Sequence, residues 1–177
     1  MSAPPPGIPD PSEYVPHYRQ YIALVSGSDI LDALAHQAVS TEAFLKALPS
    51  SKSEFRYAPG KWSVKEVVAH VIDSERVFAY RALSFSRGDA AQLPGFEQDD
   101  WMKELSLGSV SLESLIDEYK DVRGSTVHLF GHLSPDAWKR RGTANGNPVT
   151  VRALAYIIAG HELHHLKVLR EKYMNVR

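Results

Sequence analysis

The stretch that decides the fold reads TVRALAYIIAGHELHHLKVLREKY and covers residues 150–173. Its apolar residues recur every three or four positions, which predicts one long helix with a buried face, and Thr150 is a suitable N-cap. Two positions on that face are histidines, His161 and His165. Side chains four residues apart lie on the same side of a helix, so these two imidazoles can bind one metal ion. The sequence therefore predicts a core helix that carries part of a metal site.

Three earlier stretches have the same helical spacing of apolar residues. The first is predicted from Ser28, as N-cap, to about Leu48. The second is predicted from Ser63 to about Ser86, and the third from about Ser111 to His132. Four helices with almost no strand pattern predict an all-α protein, an antiparallel four-helix bundle.

The connections between these helices carry two further signals. The link from Asp89 to Gly108 is too long for a simple turn, so it allows a crossover between the second and third helices. Asn145-Gly146 is a typical hairpin turn, which predicts a short β-hairpin near residues 140–150. Residues 1–16 are rich in proline and are predicted to be extended, while residues 17–177 are predicted to form a single domain.

Composition excludes several classes of function. The chain has 177 residues and a formal net charge of −1, so it lacks the positive field expected of a protein that binds nucleic acid. It contains no cysteine, which excludes disulfides, thiolate ligands and a protein thiol nucleophile. We find neither a signal peptide nor a membrane span and expect a cytoplasmic, soluble protein.

A catalytic zinc site usually takes three protein ligands, so the histidine pair needs a third partner. The best candidate is His70, which lies in an apolar part of the second helix. His164 is a rival within the last helix, but the i, i+4 pair converges better and His164 is interpreted as a surface residue or a neighbour of the ligands. His17 and His36 stand alone in the sequence. His128 and His132 are also four residues apart, near the predicted wet end of the third helix.

The run from His161 to His165 also fits the H-E-x-x-H pattern of zinc proteases, in which the glutamate is the general base. Such enzymes normally take a third ligand from the sequence downstream, where this chain offers only Glu171 as a carboxylate. The protease hypothesis is therefore disfavoured, and Glu162 is interpreted as an ordinary exposed carboxylate.

Three groups of residues together resemble the DinB/YfiT-like proteins. They are Tyr57-Ala58-Pro59-Gly60-Lys61-Trp62-Ser63-Val64-Lys65-Glu66, then His70 with Asp73 and Glu75-Arg76, and finally Gly160-His161-Glu162-Leu163-His164-His165. The resemblance extends from about Pro16 to Tyr173. It implies an antiparallel four-helix bundle, commonly a homodimer, with a divalent metal, often nickel or zinc, on three histidines that correspond to His70, His161 and His165. Relatives include transferases and isomerases that use low-molecular-weight thiols, and members described as metal-dependent hydrolases.

Our leading hypothesis is a divalent-metal-dependent enzyme, a hydrolase or a thiol-dependent S-transferase, acting on a small-molecule substrate. The ion would activate water or a small-molecule thiol, since the chain has no thiol of its own. Asp73 could orient His70, and Arg81 could meet an anionic substrate, although a solvated carboxylate and a surface salt bridge are the simpler interpretations. The alternative is a non-catalytic bundle with a structural metal that acts in dimerisation or partner binding.

Overall fold

A computed structural model describes residues 7–25 and 29–174 of the chain. Within these ranges four long helices form the predicted bundle, joined by three short ones. The helices are α1 (Arg19–Ile22), α2 (Ile30–Lys46), α3 (Val64–Ser86), α4 (Gln98–Glu104), α5 (Leu112–Gly131), α6 (Pro135–Lys139) and α7 (Val151–Val168). A π-helical segment, Leu169–Met174, continues α7. The prediction of a four-helix bundle is confirmed.

Local capping chemistry starts most of the long helices where the sequence predicted. Helix α3 begins with a capping box, in which Ser63 accepts from the backbone of Glu66 and the Glu66 side chain accepts from the backbone of Ser63. Ser111 caps α5 and Thr150 caps α7. The prediction for the first long helix was wrong by one residue: Asp29 caps α2, and Ser28 lies outside the described residues.

The predicted hairpin is present and belongs to a small sheet. Strands β2 (Arg141–Ala144) and β3 (Asn147–Thr150) pair antiparallel around Asn145 and Gly146, which both adopt positive φ. Strand β1 (Gln92–Leu93) pairs parallel with β2, with Leu93 opposite Ala144. The sequence analysis missed β1 because two residues carry no detectable alternation. This strand fixes the start of the long link, so that α4 lies against α3.

The order of the hydrophobic contacts gives the direction of each long helix. One hydrophobic cluster contains Leu34, Phe78, Phe130 and Leu154, and a second contains Leu45, Val67, Tyr119 and Leu166. Helices α2 and α7 run from the first cluster to the second, whereas α3 and α5 run the opposite way. Helices α3 and α5 are therefore parallel. The long link between them is the crossover that the sequence allowed.

A buried polar layer separates the two hydrophobic clusters and crosses all four long helices. It consists of Gln37, Thr41, His70, Ser74, Glu75, Arg123, His161 and Glu162, each at most 7% exposed. Burying so many polar groups is costly unless each finds a partner. Every one of these residues does form at least one hydrogen bond within the bundle. The candidate site lies in this layer.

The segment before α1 reaches the start of α7. Glu13, in a 3₁₀ turn (Pro11–Glu13), is buried and accepts a hydrogen bond from the Thr150 hydroxyl at 2.8 Å. It also forms an ion pair with Arg152. In the described parts of the chain no helix is long and apolar enough to cross a membrane.

Candidate metal centre

Three imidazoles meet at the polar layer, one from α3 and two from α7. His70 and His161 belong to the layer, and His165 lies half-buried at its edge. The Nε2 atom of His161 lies 3.1 Å from Nε2 of His70 and 3.1 Å from Nε2 of His165. The three ligand nitrogens all lie within 4.8 Å of one another. The structure thus brings together the three histidines singled out from the sequence.

The arrangement fits a divalent cation. Zinc–nitrogen bonds of about 2.0–2.1 Å in a tetrahedral site place two nitrogens roughly 3.3 Å apart. The two short nitrogen–nitrogen distances are close to that value. Nε2 of His161 faces both other rings, and one ring nitrogen cannot donate a proton to two neighbours. A cation that accepts all three lone pairs satisfies the three nitrogens at once.

Burial keeps these rings neutral, which is the form that binds a metal. Burial lowers the pKa of His70 to about 4 and that of His165 to about 3. The pKa of His161 is lowered well below its ordinary value by burial and by the other two histidines. At pH 7 all three nitrogens therefore have lone pairs available without the cost of deprotonation.

Neighbouring side chains hold the rings in place. The Ser74 hydroxyl, one turn after His70 on α3, lies 3.5 Å from Nδ1 of that ring, which leaves Nε2 to face the cluster. The Trp62 ring packs on His70 with centroids 4.8 Å apart, and the Tyr21 ring packs edge-on against His161 at 5.4 Å.

A cavity of about 650 Å³ opens beside the cluster, and His165 forms part of its wall. Its lining also includes Tyr57, Lys61, Trp62, Asp99, Met102, Lys103, His164 and Tyr173. Asp99, Met102 and Lys103 come from α4, inside the link whose role the sequence did not settle. Such a volume suits a small molecule. Asp99 also interacts electrostatically with His70 and opposes the lowering of its pKa.

Glu162 points away from the histidines, and its interpretation as an exposed carboxylate was wrong. It is 1% exposed and forms an ion pair with Arg123, which is itself fully buried. It also accepts a hydrogen bond from Thr41. The second carboxylate on Arg123 is that of Glu75, at 2.7 Å. With its oxygens committed to these partners, Glu162 is not placed as the general base of a zinc protease.

The other residues considered from the sequence lie outside the cluster. His164 is half-buried, packs edge-on against Tyr21 and lines the cavity. His128 and His132 are exposed, with ring centroids 6.0 Å apart and planes tilted by 32°. Asp73 is half-buried and lies 3.6 Å from Arg76 rather than orienting His70.

The salt-bridge interpretation placed Arg81 on the surface, and this was wrong. The residue is only 4% exposed and donates to the backbone oxygen of Pro94 at 2.7 Å.

Sequence reasoning missed two features of the site. Arg123 could have been found, because it lies on the apolar face of α5, four residues after Tyr119 and seven before Phe130. A charged residue at such a position predicts a buried partner of opposite charge. Asp99 gave no such signal, because its place beside the cluster depends on how the long link folds back over α3.

The family model of the DinB superfamily matches residues 33–169, a range that includes all three histidines. A comparison with curated proteins finds no match.

Two solved structures from Bacillus subtilis share this fold. YfiT, described as a probable metal-dependent hydrolase with an unusual four-helix bundle topology, aligns with a TM-score of 0.67 at 17% identity and covers 82% of this chain and 89% of its own. The DinB-like protein YjoA aligns with a TM-score of 0.57 at 21% identity and covers 81% of this chain and 87% of its own. At these identities the likeness shows a common fold.

Proposed function

The chain belongs to the DinB superfamily, and on that premise we propose that it is a divalent-metal-dependent enzyme acting on a small-molecule substrate, with His70, His161 and His165 as the metal ligands. The observation that carries the proposal is the convergence of three neutral imidazoles, two of them buried and that of His165 half-buried, beside a cavity of about 650 Å³. Three protein ligands leave a coordination position open, which is typical of catalytic sites. Imidazole ligands suit both nickel and zinc.

When bound, a divalent ion supplies a Lewis acid that lowers the pKa of a water or thiol ligand and so makes a nucleophile near neutral pH. The protein's own side chains contribute the rest of the chemistry. Lys61 and Lys103 line the cavity and can attract an anionic group of the substrate. Among the described residues that line the cavity, Asp99 is the carboxylate, and its oxygens can accept a proton as the nucleophile forms.

Two reaction types use this arrangement, hydrolysis and the transfer of a small-molecule thiol to an electrophile. The description of YfiT as a probable metal-dependent hydrolase supports the first. The second needs a thiol from outside, because the chain contains no cysteine. The non-catalytic alternative expects a closed shell with no pocket beside the ion, and the cavity next to His165 argues against it.

Metal analysis tests the ligand assignment. Purified protein should contain about one divalent ion per chain, as expected for one three-ligand site, and His161→Ala should lose it. His164→Ala is the matched control, because it removes an imidazole of the same helix that is not one of the three ligands, although it lies edge-on against His165 at 5.1 Å. This variant should keep the ion. Retention of the ion by His161→Ala would contradict the assignment.

Activity and spectroscopy test the enzyme itself. Cobalt- or nickel-substituted protein should change its visible spectrum when a small thiol or anion is added, since an open position accepts a new ligand. A panel of esters and amides, and separately of electrophiles with thiols, should show turnover that depends on the metal and disappears in His161→Ala. An unresponsive spectrum together with no metal-dependent turnover would favour a structural metal.

A further inference from the structure

A second cavity, of about 380 Å³, lies along the C-terminal half of α3. Its walls include Val77 and Tyr80 from α3, and Leu93, Phe96 and Trp101 from the link that follows. None of the residues that line it also lines the cavity beside the histidines. Helix α4 contributes to both, with Trp101 on this side and Met102 on the other. The two cavities are therefore separate binding spaces.

Aromatic rings at the mouth of this second cavity are unusually exposed. Tyr80 is 57% exposed and Trp101 is 45% exposed. The Trp101 ring also lies against Phe96, with centroids 4.7 Å apart and planes tilted by 36°. Large aromatic side chains left open at a concave surface are typical of ligand sites rather than of ordinary protein surface.

Arg81 lines the same cavity and carries a buried charge that its neighbours do not neutralise. It is 4% exposed, and its side chain donates to the backbone oxygen of Pro94 at 2.7 Å. The Tyr18 side chain lies close to it, and its guanidinium lies 5.7 Å from the centre of the Phe78 ring. Within the described residues it forms no ion pair with a carboxylate. Buried arginines are normally paired with an acid, as Arg123 is with Glu75 and Glu162.

The other charged residues that line this cavity, Asp73 and Arg76, already have partners. Asp73 and Arg76 line the cavity and lie 3.6 Å from each other, and Arg76 also forms an ion pair with Glu118 at 2.6 Å. Arg81 is eight positions after Asp73 on α3, which is about 12 Å along the helix axis. The positive charge that lacks an acidic partner is thus at the Arg81 end.

We infer that this cavity binds a small apolar carboxylate, with its hydrophobic body between Tyr80, Phe96 and Trp101 and its carboxylate on Arg81. The guanidinium has five N–H donors, so it can serve a carboxylate while it keeps its bond to Pro94. The volume of about 380 Å³ accommodates one aromatic ring with a short acyl chain. This inference is independent of the metal site, because it needs no residue of the histidine cluster.

Calorimetric titration with 3-phenylpropionate and its neutral analogue 3-phenylpropanamide tests the inference on the full-length protein. The acid should bind at least about tenfold more tightly than the amide, as expected for a charge-assisted hydrogen bond in a buried site. The preference should be the same with and without added metal. Equal binding of the two compounds, or no binding of either at millimolar concentration, would overturn the inference without any need for a variant.

Variants then locate the bound carboxylate. Arg81→Met, which keeps a long apolar side chain, should remove the preference for the acid, whereas Arg81→Lys should keep part of it. Arg76→Met is the matched control, because it removes an exposed arginine from the same cavity, and it should keep the preference. Trp101→Ala should weaken the binding of both compounds. Binding that requires metal and is unchanged in Arg81→Met would place the carboxylate at the histidines instead and refute the inference.

Discussion

Arg123 on α5 bonds the carboxylate of Glu162 on α7, the residue that directly follows the candidate metal ligand His161. The same guanidinium binds both carboxylate oxygens of Glu75 on α3, at 2.8 and 2.7 Å. The buried guanidinium of Arg123 thus joins three helices at the level of the candidate metal centre. This ion-pair group lies in the polar layer between the two hydrophobic clusters. Because it joins α3 and α7, it fixes the two helices that supply the histidines relative to each other.

Removing that cation should destabilise the whole bundle. Arg123→Met leaves Glu75 and Glu162 buried without their partner, so we expect the free energy of unfolding to fall by about 3–5 kcal/mol. Arg76→Met, which breaks the exposed ion pair with Glu118, should change it by less than about 1 kcal/mol. Denaturant titration of both variants measures the difference. Similar small losses in the two variants would show that the buried group contributes little to stability.

Ser74 should matter for metal affinity more than for folding. Its hydroxyl lies 3.5 Å from Nδ1 of His70, so Ser74→Ala removes the group that orients the ring. Loss of such a supporting contact typically weakens metal binding about 10–100-fold. Competition with a chromophoric chelator measures the affinity. Ser84→Ala, a buried serine of the same helix that bonds Asp89, serves as the control and should bind metal normally. Unchanged affinity in Ser74→Ala would mean that packing alone orients His70.

The metal-free protein should lose stability in mild acid through its buried histidines. An unfolded chain takes up protons at histidine below its ordinary pKa of 6.5, whereas His70 in the fold has a pKa of about 4. The unfolded state therefore binds more protons between these values, and stability falls as the pH decreases from 6.5 to 4. The contribution of His70 corresponds to about 3 kcal/mol over that range.

The test compares unfolding curves of chelator-treated wild-type protein and His70→Gln from pH 7 to 4. The variant should show a shallower fall in stability, because one buried titrating group is absent. Acidic residues in ion pairs change the stability of both proteins with pH to the same extent, so their contribution cancels in the comparison. Parallel curves would show that His70 is protonated in the folded state at an ordinary pKa.

Gly160 should tolerate no side chain. A Cβ placed there would lie 2.0 Å from the backbone oxygen of Tyr21, so Gly160→Ala must displace α1 and the Tyr21 ring that packs on His161. We expect a loss of roughly 1–3 kcal/mol, as for other overpacked sites, and weaker metal binding. Gly124→Ala on α5, where nothing lies within 4 Å, should instead stabilise the protein by about 0.5–1 kcal/mol. Thermal melts of the two variants should shift in opposite directions, and a shift in the same direction would argue against the close contact.

The sequence by itself determined the helices and the identity of the three histidines. Apolar periodicity, the capping box of Ser63 and Glu66, and the hairpin turn at Asn145-Gly146 act over a few residues, so they can be recognised without the fold. The spacing of His161 and His165 is equally local, and His70 was recognised as a histidine in an apolar stretch.

Only the tertiary structure decided which charged groups surround those histidines. Glu162 looked like an exposed carboxylate because nothing near it in the sequence neutralises it, yet Arg123, its partner, comes from a helix 39 residues away. Asp99 owes its position, and Arg81 its contact with Pro94, to the path of the link between α3 and α5, which no short pattern encodes. Helical periodicity reports which face of a helix is buried, whereas pairing between buried charges depends on how separate helices align in space. That alignment is set by packing of the whole bundle.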